Sequence, residues 1–193
     1  MSGAYGMNVH LIHADLSNAT LSIDFRDSSF NDAFLLDANL SNANLTGSSF
    51  RGAELSGANL THATLWGADL TAAYLVGANL SYTQCRHAKF DESILYDAIF
   101  RDADLKGAHF TNAILGRTSL LSVDISALIN TIQLDRNTID FGTISKSITC
   151  PDLKPFLRKS GMSDVLIESV ACLDRFELSK MLYSTLISYG GPT

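Results

Sequence analysis

Proline is missing from the first 150 residues of this 193-residue chain; its three prolines are Pro151, Pro155 and Pro192. A tract that long without proline suits backbone whose N–H groups are needed for ladder bonds, because proline has no donor to give. Charge is also scarce. Only 18% of residues are charged against 46% apolar, which excludes a disordered chain and points to one domain with an appendage. The three cysteines, Cys85, Cys150 and Cys172, are odd in number and far apart, so they make neither a disulfide framework nor a zinc site. Eighteen consecutive apolar residues occur nowhere, and the N-terminus lacks a basic region followed by an apolar block. A protein of the cytoplasm with no membrane partner is therefore expected. GxGxxG, GxxxxGK[ST] and GxSxG are all absent, so no cofactor and no enzyme activity is expected.

The chain does have a strict period of five. A large apolar residue returns at every fifth position from Phe30 to Ile125, and eighteen of those twenty centres are Leu or Phe. Cys85 and Ile125 are the other two. A small residue sits two positions before each centre, and it is Ala at fourteen of the twenty, as at Ala58, Ala68 and Ala103. A helix repeats at 3.6 and a flat strand at 2. A repeat of five with two apolar positions requires a chain that turns a corner in every unit. A coil of square section meets this need: the large residue fills the middle of a face, and the small one lies where neighbouring faces converge. Such coils bury a core only by stacking. Gly47, Gly52, Gly57, Gly67, Gly77 and Gly107 all fall two residues after a centre and read as corners.

The strings Ala58-Asn59-Leu60-Thr61-His62, Ala68-Asp69-Leu70-Thr71-Ala72 and Ala78-Asn79-Leu80-Ser81-Tyr82 resemble the A(D/N)LXX consensus of pentapeptide-repeat proteins. The resemblance implies an all-β solenoid, a right-handed quadrilateral β-helix with four units per coil, over residues 1–127. Leu11, Leu16 and Leu21 keep the period, yet the next apolar centre is Phe25, so the first coil is expected to be offset by one residue.

Beyond the repeats, residues 128–150 read as an irregular last coil or linker and 151–180 as a small C-terminal α-helical cap. Asp152 would cap the first helix and Gly161 stop it, and Leu166, Val170 and Leu173 would form one face of the second. Residues 181–193 read as a terminal strand. Leu182 through Pro192 resemble the opening strand of a TIR domain, which implies the front part of a pentapeptide-repeat/TIR protein of bacterial type. The TIR fold's catalytic glutamate and nucleotide-binding loops have no counterpart in this sequence.

Residues twenty apart should stack in columns. One column pair then carries Phe34, Glu54, Tyr74, Ile94 and Ile114 before the centres and Leu36, Ser56, Val76, Tyr96 and Gly116 after them. That wall is largely apolar, and Phe34, Leu36, Tyr74, Val76, Ile94, Tyr96 and Ile114 are the expected protein contact, with a partner protein or with a second copy in a homodimer. The competing expectation is that the C-terminal segment covers the wall. The next wall has Asn39, Asn59, Asn79, Ile99 and Ser119 before its centres and reads as a free, solvated face. Trp66 should point outward on the opposite wall with Arg86 and Lys106, as an anchor or a cation–π stack. His10, His13, His62, His87 and His109 fall at the ends or at outward positions and offer no complete metal site.

A non-enzymatic scaffold follows. The family resemblance implies an alternative, a DNA mimic acting on DNA gyrase as quinolone-resistance proteins do, and charge argues against it. Six coils at about 4.8 Å make a rod of roughly 29 Å, along which B-DNA presents about seventeen phosphates. The chain's formal charge is −6, and its acids are interspersed with Arg51, Arg86, Lys89, Arg101 and Lys106. Direct nucleic-acid binding lacks a basic patch.

Overall fold

A computed structural model describes residues 7–115, 118–120 and 123. The expected linker, helical cap and terminal strand, Cys150 and Cys172, and Gly116 of the apolar wall lie outside the described residues.

Parallel bridges link each unit to the unit four further on, as in Phe34↔Glu54↔Tyr74↔Ile94↔Ile114 and Asn39↔Asn59↔Asn79↔Ile99↔Ser119. Four columns of bridges define four walls, numbered here in chain order. The first wall runs through Ser29, Ser49, Asp69, Lys89 and His109, the second through Phe34 to Ile114, the third through Asn39 to Ser119, and the fourth through Asp24, Asn44, Thr64, Gln84 and Asp104.

One unit shows how the backbone is satisfied. Leu55 N–H donates to Tyr74 O (2.7 Å), Tyr74 N–H to Ala53 O (2.9 Å) and Gly57 N–H to Val76 O (2.8 Å), which ties successive coils together. The corner closes when Ala58 N–H donates to Leu55 O at 3.0 Å. Gly57 there has φ +69°, the left-handed torsion that a type II turn requires at its third residue. Non-glycine residues at equivalent corners are mostly Asn, Asp or His, as at Asn42, Asp32 and His87, the types that tolerate this torsion best. Ala72, Tyr82 and Glu92 adopt it too.

The fifth N–H of the unit explains the Asp or Asn of the repeat. Ser56 N–H donates to Glu54 Oε1, Thr61 N–H to Asn59 Oδ1, Thr71 N–H to Asp69 Oδ1 and Ser81 N–H to Asn79 Oδ1, all at 3.0 or 3.1 Å. A side-chain oxygen one residue before the centre thus takes the donor that the ladder leaves over.

Inside, every centre from Phe30 to Leu115 is essentially buried, and so are the small residues before them. Rings stack coil on coil: Phe30 lies on Phe50 (centroids 4.6 Å) and Phe90 on Phe110 (4.8 Å). Where the small residue is Ser48, Thr83 or Ser93, its hydroxyl donates to the carbonyl three residues back, so these substitutions leave no orphan. Cys85 is a core thiol. Burial pushes its pKa up to about 12, which makes it inert.

The offset expected in the first coil is present. His10, Asp15 and Thr20 bridge residues nineteen further on, whereas Asp24 and all later positions bridge residues twenty on. The missing residue is absorbed at one corner, where Ile23 N–H donates to Leu21 O (2.8 Å) in a three-residue turn without the left-handed torsion. Val9, Leu11, Leu16, Leu21 and Ile23 are only partly buried against the core.

Candidate interaction surface

Apolar side chains on the second wall sit at the two outward positions beside each centre. Phe34 (54% exposed), Leu36, Tyr74, Val76, Tyr96 and Ile114 are exposed. Ile94 is half-buried and is bridged to Tyr74 and Ile114 on the coils either side of it. The wall is also less continuous than its column suggests. Glu54 and Ser56 occupy one whole coil, hydrogen-bonded to each other through Glu54 Oε1 and the Ser56 N–H. They separate Phe34 and Leu36 from the three-coil patch of Tyr74, Val76, Ile94, Tyr96 and Ile114.

That patch has a structural cost. Phe34, Tyr74 and Ile94 have no oxygen at the position where Asn39, Asn59 and Asn79 accept a backbone N–H. The fold does not require large apolar groups there, which makes the patch a candidate contact surface.

The third wall is polar at Asn39, Asn59 and Asn79, with Ile99 exposed on the coil after them. Asn59 Nδ2 donates to Asn39 Oδ1 at 3.4 Å, beginning an asparagine ladder, and Thr61 and Ser81 hydroxyls add bonds to Asn59 and Asn79. On the fourth wall, the Arg86 guanidinium lies 6.0 Å from the centroid of Trp66 and donates to Asp104 at 2.6 Å. Trp66 is therefore partnered within the chain by a cation–π contact.

Acids on the first and fourth walls are tied to arginines: Arg51 to Asp69 (3.1 Å), Arg86 to Asp104 (2.6 Å) and Arg26 to Asp24 (2.8 Å). Partial burial alone would raise the pKa of Asp69, but hydrogen bonds from Thr71 and Arg51 outweigh it and hold the group below its ordinary 3.8. Asp104 is held down likewise, by Arg86 and Lys106 against partial burial. Asp24 is lowered chiefly by its hydrogen bond from Arg26.

All five histidines are exposed, His10 on the first wall and His13 at the corner after it. His62 stacks on Tyr82 with centroids 4.9 Å apart. Among the described residues no three of His, Cys, Asp or Glu gather in a metal-binding group, and no helix is long and apolar enough to cross a membrane. The acceptor role of the Asp or Asn before each centre is what sequence reasoning missed; the signal was the A(D/N)L string itself.

The pentapeptide-repeat family model matches residues 23–57, 53–84 and 78–117, with eight copies of its repeat. No curated protein matches the chain. Among solved structures, a pentapeptide-repeat protein of the Arabidopsis thaliana thylakoid lumen is 27% identical with a TM-score of 0.53, the match covering 56% of this chain and 74% of that one. A pentapeptide-repeat protein of the cyanobacterium Cyanothece 51142 is 28% identical (TM-score 0.46), over 47% of this chain. The chain spans 62% of that relative, less than two thirds of its length. Trypsin-treated QnrB1, a plasmid-mediated fluoroquinolone resistance protein, is 20% identical (TM-score 0.43), over 63% of this chain and 62% of that one. With bridges that recur every twenty residues and a repeat model that matches from 23 to 117, this region of the chain is a pentapeptide-repeat domain, and its described residues fold as a right-handed quadrilateral β-helix.

Proposed function

We propose that this chain is a non-enzymatic interaction module of the cytoplasm, docking a protein partner through Phe34, Leu36, Tyr74, Val76, Ile94, Tyr96 and Ile114 on the second wall. One observation carries the reading. At Tyr74 and Ile94 the repeat forgoes the oxygen that serves the backbone at Asn59 and Asn79, and presents apolar surface in its place. The flat walls offer no converging set of titratable groups for turnover. The TIR resemblance of Leu182 through Pro192 extends this reading to a scaffold that tethers a signalling or defence domain. That extension rests on the sequence of those residues alone.

The test is the double variant Tyr74→Lys/Tyr96→Lys, followed by thermal denaturation and sedimentation. Both side chains are exposed, so a docking wall predicts an unchanged melt with loss of partner binding or self-association. A sharply lowered melting temperature would mean instead that part of the same chain covers the wall. Gyrase supercoiling in the presence of the purified protein tests the DNA-mimic alternative, and no inhibition is expected.

A further inference from the structure

Formal charge is unevenly distributed around the coil. The second wall and its two flanking corners carry Asp15, Asp32, Asp37, Glu54 and Glu92, together with Asp97, which is engaged in an interaction of its own, and, among the described residues, no Lys or Arg. The other described positions hold Asp24, Asp27, Asp69, Asp91, Asp102 and Asp104 against Arg26, Arg51, Arg86, Lys89, Arg101 and Lys106. Those twelve charges cancel. The net negative charge of the described coil therefore belongs to the face that also carries the apolar patch.

We propose that this face takes a segment of a partner protein in which apolar side chains alternate with, or are flanked by, lysine or arginine. The inference rests on the docking reading above and adds the chemistry of the occupant. Tyr74, Val76, Tyr96 and Ile114 form the floor, and the corners beside the Tyr74 coil, Ala72 and Gly77, are uncharged, so apolar surface spans that coil from edge to edge. Asp32, Asp37 and Glu54 stand on the coils before it and Glu92 on the coil after it. An apolar segment lying along the floor would carry its cations to within reach of these carboxylates, and complementary rims of this kind set specificity and speed encounter.

Other occupants fit less well. A second copy meeting the same face would oppose two acidic rims, since a two-fold contact is self-complementary. Nucleic acid and anionic lipid are repelled by the same carboxylates.

The experiment titrates the full chain into fluorescein-labelled (Leu-Lys)7 and (Leu-Glu)7 peptides and follows anisotropy. It is repeated with a charge variant, Glu54→Gln/Glu92→Gln, and an apolar variant, Tyr74→Asn/Tyr96→Asn, each checked for an unchanged thermal melt. The lysine peptide should bind the unaltered chain, with affinity reduced about tenfold by either variant, and the glutamate peptide should bind at least about tenfold more weakly. If the apolar variant weakens both peptides and the charge variant weakens neither, the wall docks proteins but the cationic inference fails. If neither variant changes the binding of either peptide, or neither peptide binds, both readings fail. Self-association of the unaltered chain that the apolar variant abolishes would identify a second copy as the occupant and overturn the proposal.

Discussion

The second and third walls share one backbone, one bonding ladder and one kind of core, Leu35, Leu55 and Leu75 behind one and Leu40, Leu60 and Leu80 behind the other. They differ in most residues before the centres: Phe34, Glu54, Tyr74, Ile94 and Ile114 on the second, Asn39, Asn59, Asn79, Ile99 and Ser119 on the third. The comparison separates what the coil requires from what it permits. It requires a large apolar centre, a small residue two before it and a corner that accepts a left-handed torsion. The outward positions are left open, to hold backbone donors or to meet another molecule.

The largest effect should be blind to which wall is changed. Leu75→Ala and Leu80→Ala, one behind each wall, should each cost about 2–5 kcal/mol in chemical denaturation, since each empties a fully packed site. Unequal losses would mean that the walls differ inside as well as out. Next comes the acceptor itself. Asn59→Leu removes the oxygen that Thr61 N–H and Oγ1 both use, and should cost about 0.5–1.5 kcal/mol. The reverse change, Tyr74→Asn, gives the Val76 N–H an acceptor and should leave stability unchanged or raise it by up to about 1 kcal/mol. A clear loss of stability in Tyr74→Asn would show that the tyrosine serves the fold and would weaken the case for docking.

A smaller effect concerns acid. The carboxyl of Asp69 is lowered in the folded chain, so its contribution is present above the ordinary carboxylate pKa and fades as pH falls through the lower folded value. Asp69→Asn should therefore reduce stability slightly at neutral pH and flatten the decline of the melting temperature below about pH 4. The smallest change is expected at a corner: Ala72, at φ 57°, should gain only about 0.3 kcal/mol in chemical denaturation on replacement by glycine, whose ease at that torsion is largely offset by its greater freedom in the unfolded chain.

Much of this architecture was legible in the sequence, because a period of five with Leu, Phe and Ala in fixed places has one compact solution. The slip between Leu21 and Phe25 was visible as well, and the bridges of Thr20 and Asp24 place it at that corner. Other features required coordinates. Ile94 looks as outward as Tyr74 in the repeat, yet it is half-buried where Tyr74 is exposed. The duty of Asn59 and Asp69 toward the backbone is a matter of distances of about 3 Å, which a consensus string records without explaining. The uneven charge could have been read by sorting acids into columns, since a twenty-residue stacking interval was already implied. Read linearly, Arg51 and Lys89 lie near Glu54 and Glu92 and hide the fact that they face another way.

The four-sided winding also means that the proposed docking face is defined by residue number modulo twenty. Removing one whole repeat, residues 81–85 for instance, would leave Phe90 following Leu80 as the next core centre and break no rule of the coil. Yet Ile94, Tyr96 and Ile114 would swing a quarter turn onto the adjoining side, away from Tyr74 and Val76. In such a protein, lineages can shorten or lengthen the tube freely for folding, but only in steps of four repeats if a binding face is to survive.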